Sequence, residues 1–148
     1  MQDKIEKITK LRAPIPRVWR ALTDHTEFGE WFQVALESPF AVGETCAGNI
    51  TYPGHEHMRL EATVNVMDHE KLFSFYWCPL PDDASEEEKK LSTLVEFKLE
   101  AIPEGTQLTI SESGFSSLPD TARRAEAFRL NTQGWEVQTK NIAAHVES

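Results

Sequence analysis

Glu112 is the side chain in this sequence best placed to do chemistry. It follows Leu108 and Ile110 at alternate positions of a strand-like run, so its carboxylate faces the same interior side. A carboxylate among apolar groups has a raised pKa and can serve as a general acid or base. A strand-end glutamate can equally be bonded to backbone or to an arginine. Asn131 and Gln138, seven residues apart, flank the apolar positions Phe128, Trp135 and Ile142. Their amides could orient a ligand, or sit at a helix edge in contact with water. His55-Glu56-His57 invites a metal reading, because alternate strand residues share a face. Extending the following strand backwards, however, puts both histidines outward with Arg59 and Glu61, and no third ligand is identifiable. No metal and no cofactor are expected.

The two cysteines, Cys46 and Cys78, form no Cys-x-x-Cys pair and no zinc spacing, so both read as free thiols packed as small hydrophobes. There is no Gly-x-Ser-x-Gly nucleophile elbow and no glycine-rich phosphate loop.

Positioning these groups falls to a recognisable series of elements. A strand-like segment over 5–12 runs into Pro14 and Pro16, and an amphipathic helix with Val18, Trp19 and Leu22 on one face starts at once. A second aromatic helix lies near Trp31-Phe32. After Pro39 and Gly43 the pattern turns to strands. Cys46, Gly48, Ile50 and Tyr52 share one face, and Met58, Leu60, Ala62, Val64 and Val66 alternate with polar neighbours. Residues 72–77 are aromatic and strand-like, and Val95, Phe97 and Leu99 alternate before the turn at Pro103-Glu104-Gly105.

Between these strands the 79–92 segment is a charged excursion carrying Asp82, Asp83, Glu86, Glu87 and Glu88 against Lys89 and Lys90. Ser85 and Glu88 there could form a capping box. The last segment, from Pro119, predicts a long helix capped by Asp120 or Thr121. Its apolar stripe is Ala125, Phe128, Thr132, Trp135, Thr139, Ile142 and Val146. Gly134 within it suggests close packing or room for something else.

At 148 residues the chain reads as one domain over 1–148. A net charge of -9 argues against nucleic acid and anionic membranes as partners. The charged start, Met1-Gln2-Asp3-Lys4, lacks the apolar core of a signal peptide, so a cytoplasmic location is expected.

The order and residues of these elements resemble the activator-of-heat-shock-protein-ATPase-homologue-like branch of the SRPBCC, START-like (birch-allergen-like) superfamily. The matching features are Ala13-Pro14 with Val18 to Asp24, Trp31-Phe32, Val42-Gly43-Glu44, Glu112-Ser113-Gly114-Phe115 and Asn131-Thr132-Gln133-Gly134-Trp135. The resemblance implies an α+β helix-grip fold. A curved antiparallel sheet of about six to seven strands would wrap a long C-terminal helix, with two short helices after the first strand. It also implies a cavity between sheet and last helix for a small hydrophobic or aromatic ligand. Tyr52, Phe75, Trp77, Phe97, Glu112, Phe128, Asn131, Trp135 and Gln138 are the expected lining, although aromatic stripes equally make a packed core. A cyclase- or hydrolase-like enzyme using Glu112, and a co-chaperone-type interaction module, are the other readings. Expected partners are a small apolar ligand, a second copy in a homodimer, or a chaperone.

Overall fold

The computed structural model describes residues 3–80, 85–119 and 122–147. Asp82 and Asp83, and the expected caps Asp120 and Thr121, lie outside that set. Strand β1 (Lys4–Leu11) leads into helix α1 (Ile15–Thr23) and helix α2 (His25–Phe32). Pro14 sits extended before α1, its carbonyl accepting from the N–H groups of Arg17 and Val18 at 3.0 and 3.2 Å. The Asp24 side chain then caps α2, accepting from Thr26 and Glu27 N–H at 2.9 and 3.1 Å, which separates two helices with almost no linker.

Six further strands follow: β2 (Val34–Leu36), β3 (Thr45–Ile50), β4 (Arg59–Asp68), β5 (Leu72–Trp77), β6 (Thr93–Ile102) and β7 (Gly105–Ser113). They join β1 in one sheet, ordered β1-β7-β6-β5-β4-β3-β2. Every neighbouring pair is antiparallel. Strand β2 is only three residues long, too short for a period-2 pattern to announce it. It needs Gly48 opposite it, where a Cβ would stand 2.1 Å from the carbonyl oxygen of Ala35.

The inner face holds the core: Leu60, Ala62, Val64, Phe73, Phe75, Val95, Phe97, Leu108 and Ile110 are all buried. The expected inward run on β4 holds as far as Val64 and then fails. An irregularity between Val64 and Val66 shifts the register, so Met67, not Val66, stands opposite inward-facing Phe73. A bulge adds one residue and so exchanges the two faces beyond it. Phe28 of α2 is the aromatic hub under this sheet, with ring centroids 4.8 to 6.5 Å from Trp31, Phe32, Phe40, Phe75 and Phe97.

Helix α3 (Ala122–Glu147) lies across the concave side, burying Ala127, Trp135, Ile142 and Val146. Its seam differs from the expected stripe at the start, where Ala125 is exposed and Ala127 is buried. Lys7 pairs with Glu136 at 2.9 Å, and the Gln138 amide donates to the Phe32 carbonyl at 3.3 Å, tying the helix to β1 and α2. Gly134 points to open space, where an added Cβ meets nothing within 4 Å, so neither close packing nor a filled gap explains it. Gly134→Ala should therefore raise stability by about 0.5–1 kcal/mol, read as a higher urea midpoint with unchanged slope. A fall in the midpoint would mean the glycine has a contact that this geometry lacks.

Candidate functional site

Strand pairing places Glu112 between Ile5 of β1 and Val95 of β6 on the inner face, and it is 0% exposed. Trp77, the last residue of β5, and Thr93, the first of β6, stand opposite each other at the same end of the sheet. From above, Asn131 and Trp135 descend from successive turns of α3. All four converge on the carboxylate. The Trp135 indole N–H donates to Oε1 at 2.9 Å, and the Trp77 indole N–H donates to Oε2 at 2.9 Å. The Thr93 hydroxyl donates to Oε2 at 2.5 Å, and the Asn131 amide reaches both oxygens at 3.1 Å. The two indole rings stack, with centroids 5.6 Å apart and planes at 27°.

The four groups bonded to Glu112 are all neutral. Burying a carboxylate is expensive, and the compensation here is a set of hydrogen-bond dipoles in place of a counter-ion. Indole N–H groups can only donate, so both carboxylate oxygens are committed as acceptors. Glu112 points inward, and of the two flanking amides it meets Asn131. The expected alternatives of a backbone or arginine partner are replaced by two tryptophans and a threonine. Thr93 was missing from the sequence reading, although it continues the alternation of Val95 and Phe97 by one step.

The expected lining residues do not share one place. Phe75, Phe97 and Trp135 are packed rings of the core, and Phe97 lies 5.9 Å from Trp135. Phe128 is packed on Phe115 at 5.1 Å, towards the start of α3. Gln138 bonds Phe32 rather than Glu112. Tyr52 is a correction: it is 51% exposed and its ring leans on His55, 5.5 Å away. Strand β3 ends at Ile50, so the alternation that would have turned Tyr52 inward stops two residues earlier. His55, Glu56 and His57 likewise lie in the exposed turn before β4, not on the strand. Among the described residues no cluster of three metal-ligating side chains forms.

Around Glu112 these rings and bonds pack the sheet against α3. A recess opens elsewhere, where β4 and β5 part company. Pairing between them starts at Thr63 and Tyr76, and β5 stops at Trp77, two residues before Pro79, which has no N–H to give a ladder. The first half of β4 therefore stands apart from the chain leaving β5. The resulting recess of about 820 Å³ has Phe32, Ile50, Leu60, Trp77, Leu80 and Leu91 as its apolar wall. Arg59, Glu61, Lys89 and Lys90 stand at its rim. Trp77 thus has one side on the recess and its N–H on Glu112.

The described part of the 79–92 excursion edges this mouth with lysines. The expected capping box is present, with Glu88 N–H donating to Ser85 Oγ at 3.2 Å and Ser85 N–H to Glu88 Oε1 at 2.9 Å. Cys78 also lines the recess, half-buried, and burial holds its thiol above the ordinary value. Cys46 is buried, its Sγ 2.9 Å from the Ser38 carbonyl oxygen, and both cysteines are free, as expected.

A second polar centre, absent from the sequence reading, closes the far end of α3. Burial tends to raise the pKa of Glu27, but bonds from His145, Arg17 and Arg20 outweigh that and hold it at about 2. Their distances are 2.9, 2.6 and 2.5 Å. A carboxyl whose folded pKa lies below its unfolded value near 4.5 stabilises the fold fully above that value and loses the effect as pH falls towards 2. Glu27→Gln should therefore cost about 1–2 kcal/mol at neutral pH and flatten the loss of stability between pH 5 and pH 2. Urea midpoints at several pH values would show this. An acid limb of unchanged steepness would remove Glu27 from the account.

Seven antiparallel strands curved against one long helix, with two short helices after the first strand, define a helix-grip fold. The family described as Activator of Hsp90 ATPase homolog 1-like protein matches residues 12–147, and the chain belongs to that family. Among solved structures, protein MLL2253 from Mesorhizobium loti superposes with a TM-score of 0.77 at 23% identity, covering 97% of this chain and 96% of that one. The Aha1 dimer from Colwellia psychrerythraea gives 0.73 at 15% identity, covering 99% and 97%. DynU16, from the dynemicin biosynthetic locus, gives 0.76 at 19% identity, and this chain spans 48% of its length. At these identities the likeness is one of fold. No curated protein sequence matches. No helix among the described residues is long and apolar enough to cross a membrane.

Proposed function

We propose that the chain binds a small hydrophobic or aromatic molecule in the recess beside Trp77. The observation that carries this is the recess itself: about 820 Å³, with an apolar wall backed by a rigid stack of aromatic rings. That volume lies within the range of about 300–1,000 Å³ typical of small-molecule sites. Glu112 is not the reacting group in this reading. Its bonds hold Trp77 and α3 in place, and so fix the wall on which a ligand would lie. The neutral fluorophore N-phenyl-1-naphthylamine tests the proposal. It should bind saturably, one per chain, with Trp77 emission quenched. Leu91→Trp, which enlarges a half-buried wall residue, should weaken binding tenfold or more. Non-saturable uptake, or affinity unaffected by Leu91→Trp, would remove the recess as the site.

A further inference from the structure

Strand β4 borders the recess along a stretch where its backbone runs past the end of β5. In β4, Val64 N–H donates to Glu44 at 3.0 Å and the Met58 carbonyl accepts from Ile50 at 2.9 Å, both on the β3 side. Backbone groups alternate direction along a strand, so the N–H and C=O of Arg59, Glu61 and Thr63 turn the other way. Thr63 meets Tyr76 of β5, but the ladder ends there, and among the described residues no strand stands opposite Arg59 or Glu61 on that side. Both residues border the recess, across from Leu80 and the 89–92 segment. A bare strand edge is therefore set into a pocket whose inner side is apolar.

Such an edge selects a ligand by chemistry. In a hydrogen-bonded antiparallel pair, one residue gives its N–H and takes with its C=O, so the partner must offer both groups on one side. A single trans amide points its N–H and C=O in opposite directions and cannot do this. An –NH–CHR–CO– unit can. Lys89 and Lys90, exposed and held among the described residues by 3.5 and 3.7 Å pairs with Glu86 and Glu87, stand at the same rim as cations for a terminal carboxylate. We infer that the recess takes an N-acylated apolar amino acid, which pairs with the Glu61 backbone as an added strand residue would. Its acyl and side-chain groups rest against Leu60, Trp77 and Leu80. This rests on the pocket reading above and narrows it to one ligand class.

The comparison that tests it is N-phenylacetyl-L-phenylalanine against the phenylacetyl ester of 3-phenyllactate, which replaces the N–H by oxygen. The amide should bind about three- to tenfold tighter, the worth of one net hydrogen bond. It should also shift the Glu61 backbone N–H resonance and slow its hydrogen exchange. Glu61→Ala keeps the backbone donor and should keep the preference. Glu61→Pro removes the donor, puts a ring into the slot, and should cost the amide tenfold or more in affinity. If that variant does not fold, the amide–ester comparison on the unaltered protein still decides. Equal affinities with an unchanged Glu61 N–H would overturn the inference. If N-phenyl-1-naphthylamine still binds in that case, the apolar pocket stands without it; if it does not, both fall.

Discussion

Glu112→Gln is expected to lower unfolding stability by about 2–4 kcal/mol, although it keeps the shape of the side chain. The carboxylate accepts from two indole N–H groups, one hydroxyl and one amide, and its surroundings have been built for acceptors only. A carboxamide keeps one oxygen and turns an NH2 group towards the rest. If the oxygen stays with Trp135 and Asn131, the NH2 meets the Trp77 indole N–H and the Thr93 hydroxyl. Threonine can rotate and accept, but indole cannot. One buried donor then faces another, and this mismatch dominates the cost. Glu112→Ala should cost more, about 3–5 kcal/mol, because every donor loses its partner and a void remains. A domain of ordinary stability, about 5–15 kcal/mol, would feel either change strongly.

Adding Trp77→Phe to Glu112→Gln separates this from a general packing loss. Phenylalanine has no N–H to oppose the carboxamide, so the double variant should lose less than the sum of the single changes. A cycle that sums within about 0.5 kcal/mol would show that Trp77 and Glu112 are not energetically coupled.

Phe28→Ala should have a comparable effect, about 3–5 kcal/mol, by a different route. The Phe28 ring is 1% exposed, and five aromatic rings surround it from α2, the β2–β3 connection and the sheet. Its neighbours are themselves held: Trp31 donates its indole N–H to the Ala21 carbonyl at 2.8 Å, and Phe73 and Phe97 stack at 6.0 Å. They cannot collapse freely, so the void persists and the cost lies near the top of the usual range. Phe28→Leu, which keeps most of the volume, should cost clearly less. Chemical denaturation with tryptophan emission as readout would compare the two. Equal losses would mean that the site tolerates a void and that Phe28 is not the hub its contacts describe.

Much of the scaffold was legible because it depends on neighbours along the chain. Pro14 and Pro16 announce the start of α1, and the period-2 runs 95–99 and 108–112 fix which face of β6 and β7 turns inward. That alternation alone was enough to aim Glu112 at the interior. Helical spacing likewise puts Trp135 and Ile142 on one seam, with Asn131 flanking it. The misreadings lie where a period is interrupted by something that only pairing reveals. Val66 was assigned to the core because the bulge after Val64 cannot be seen in residue types, and Tyr52 because nothing local marks the end of β3 at Ile50.

The same division holds for the site. The chain by itself determined that an acidic side chain enters an aromatic interior, that a long helix covers it, and that Pro79 ends a strand. Only the tertiary structure decided what those facts amount to. Trp77, Thr93 and Trp135 lie 35, 19 and 23 residues from Glu112; strand register brings the first two to its oxygens, and the docking of α3 on the sheet brings the third. The family resemblance implies a cavity between sheet and helix; the recess described above opens between β4 and the chain leaving β5. Its position follows from where two strands cease to pair. Periodicity reports the face a residue occupies. Which residues share that face, and where a sheet is left open, depends on long-range pairing that no local pattern encodes.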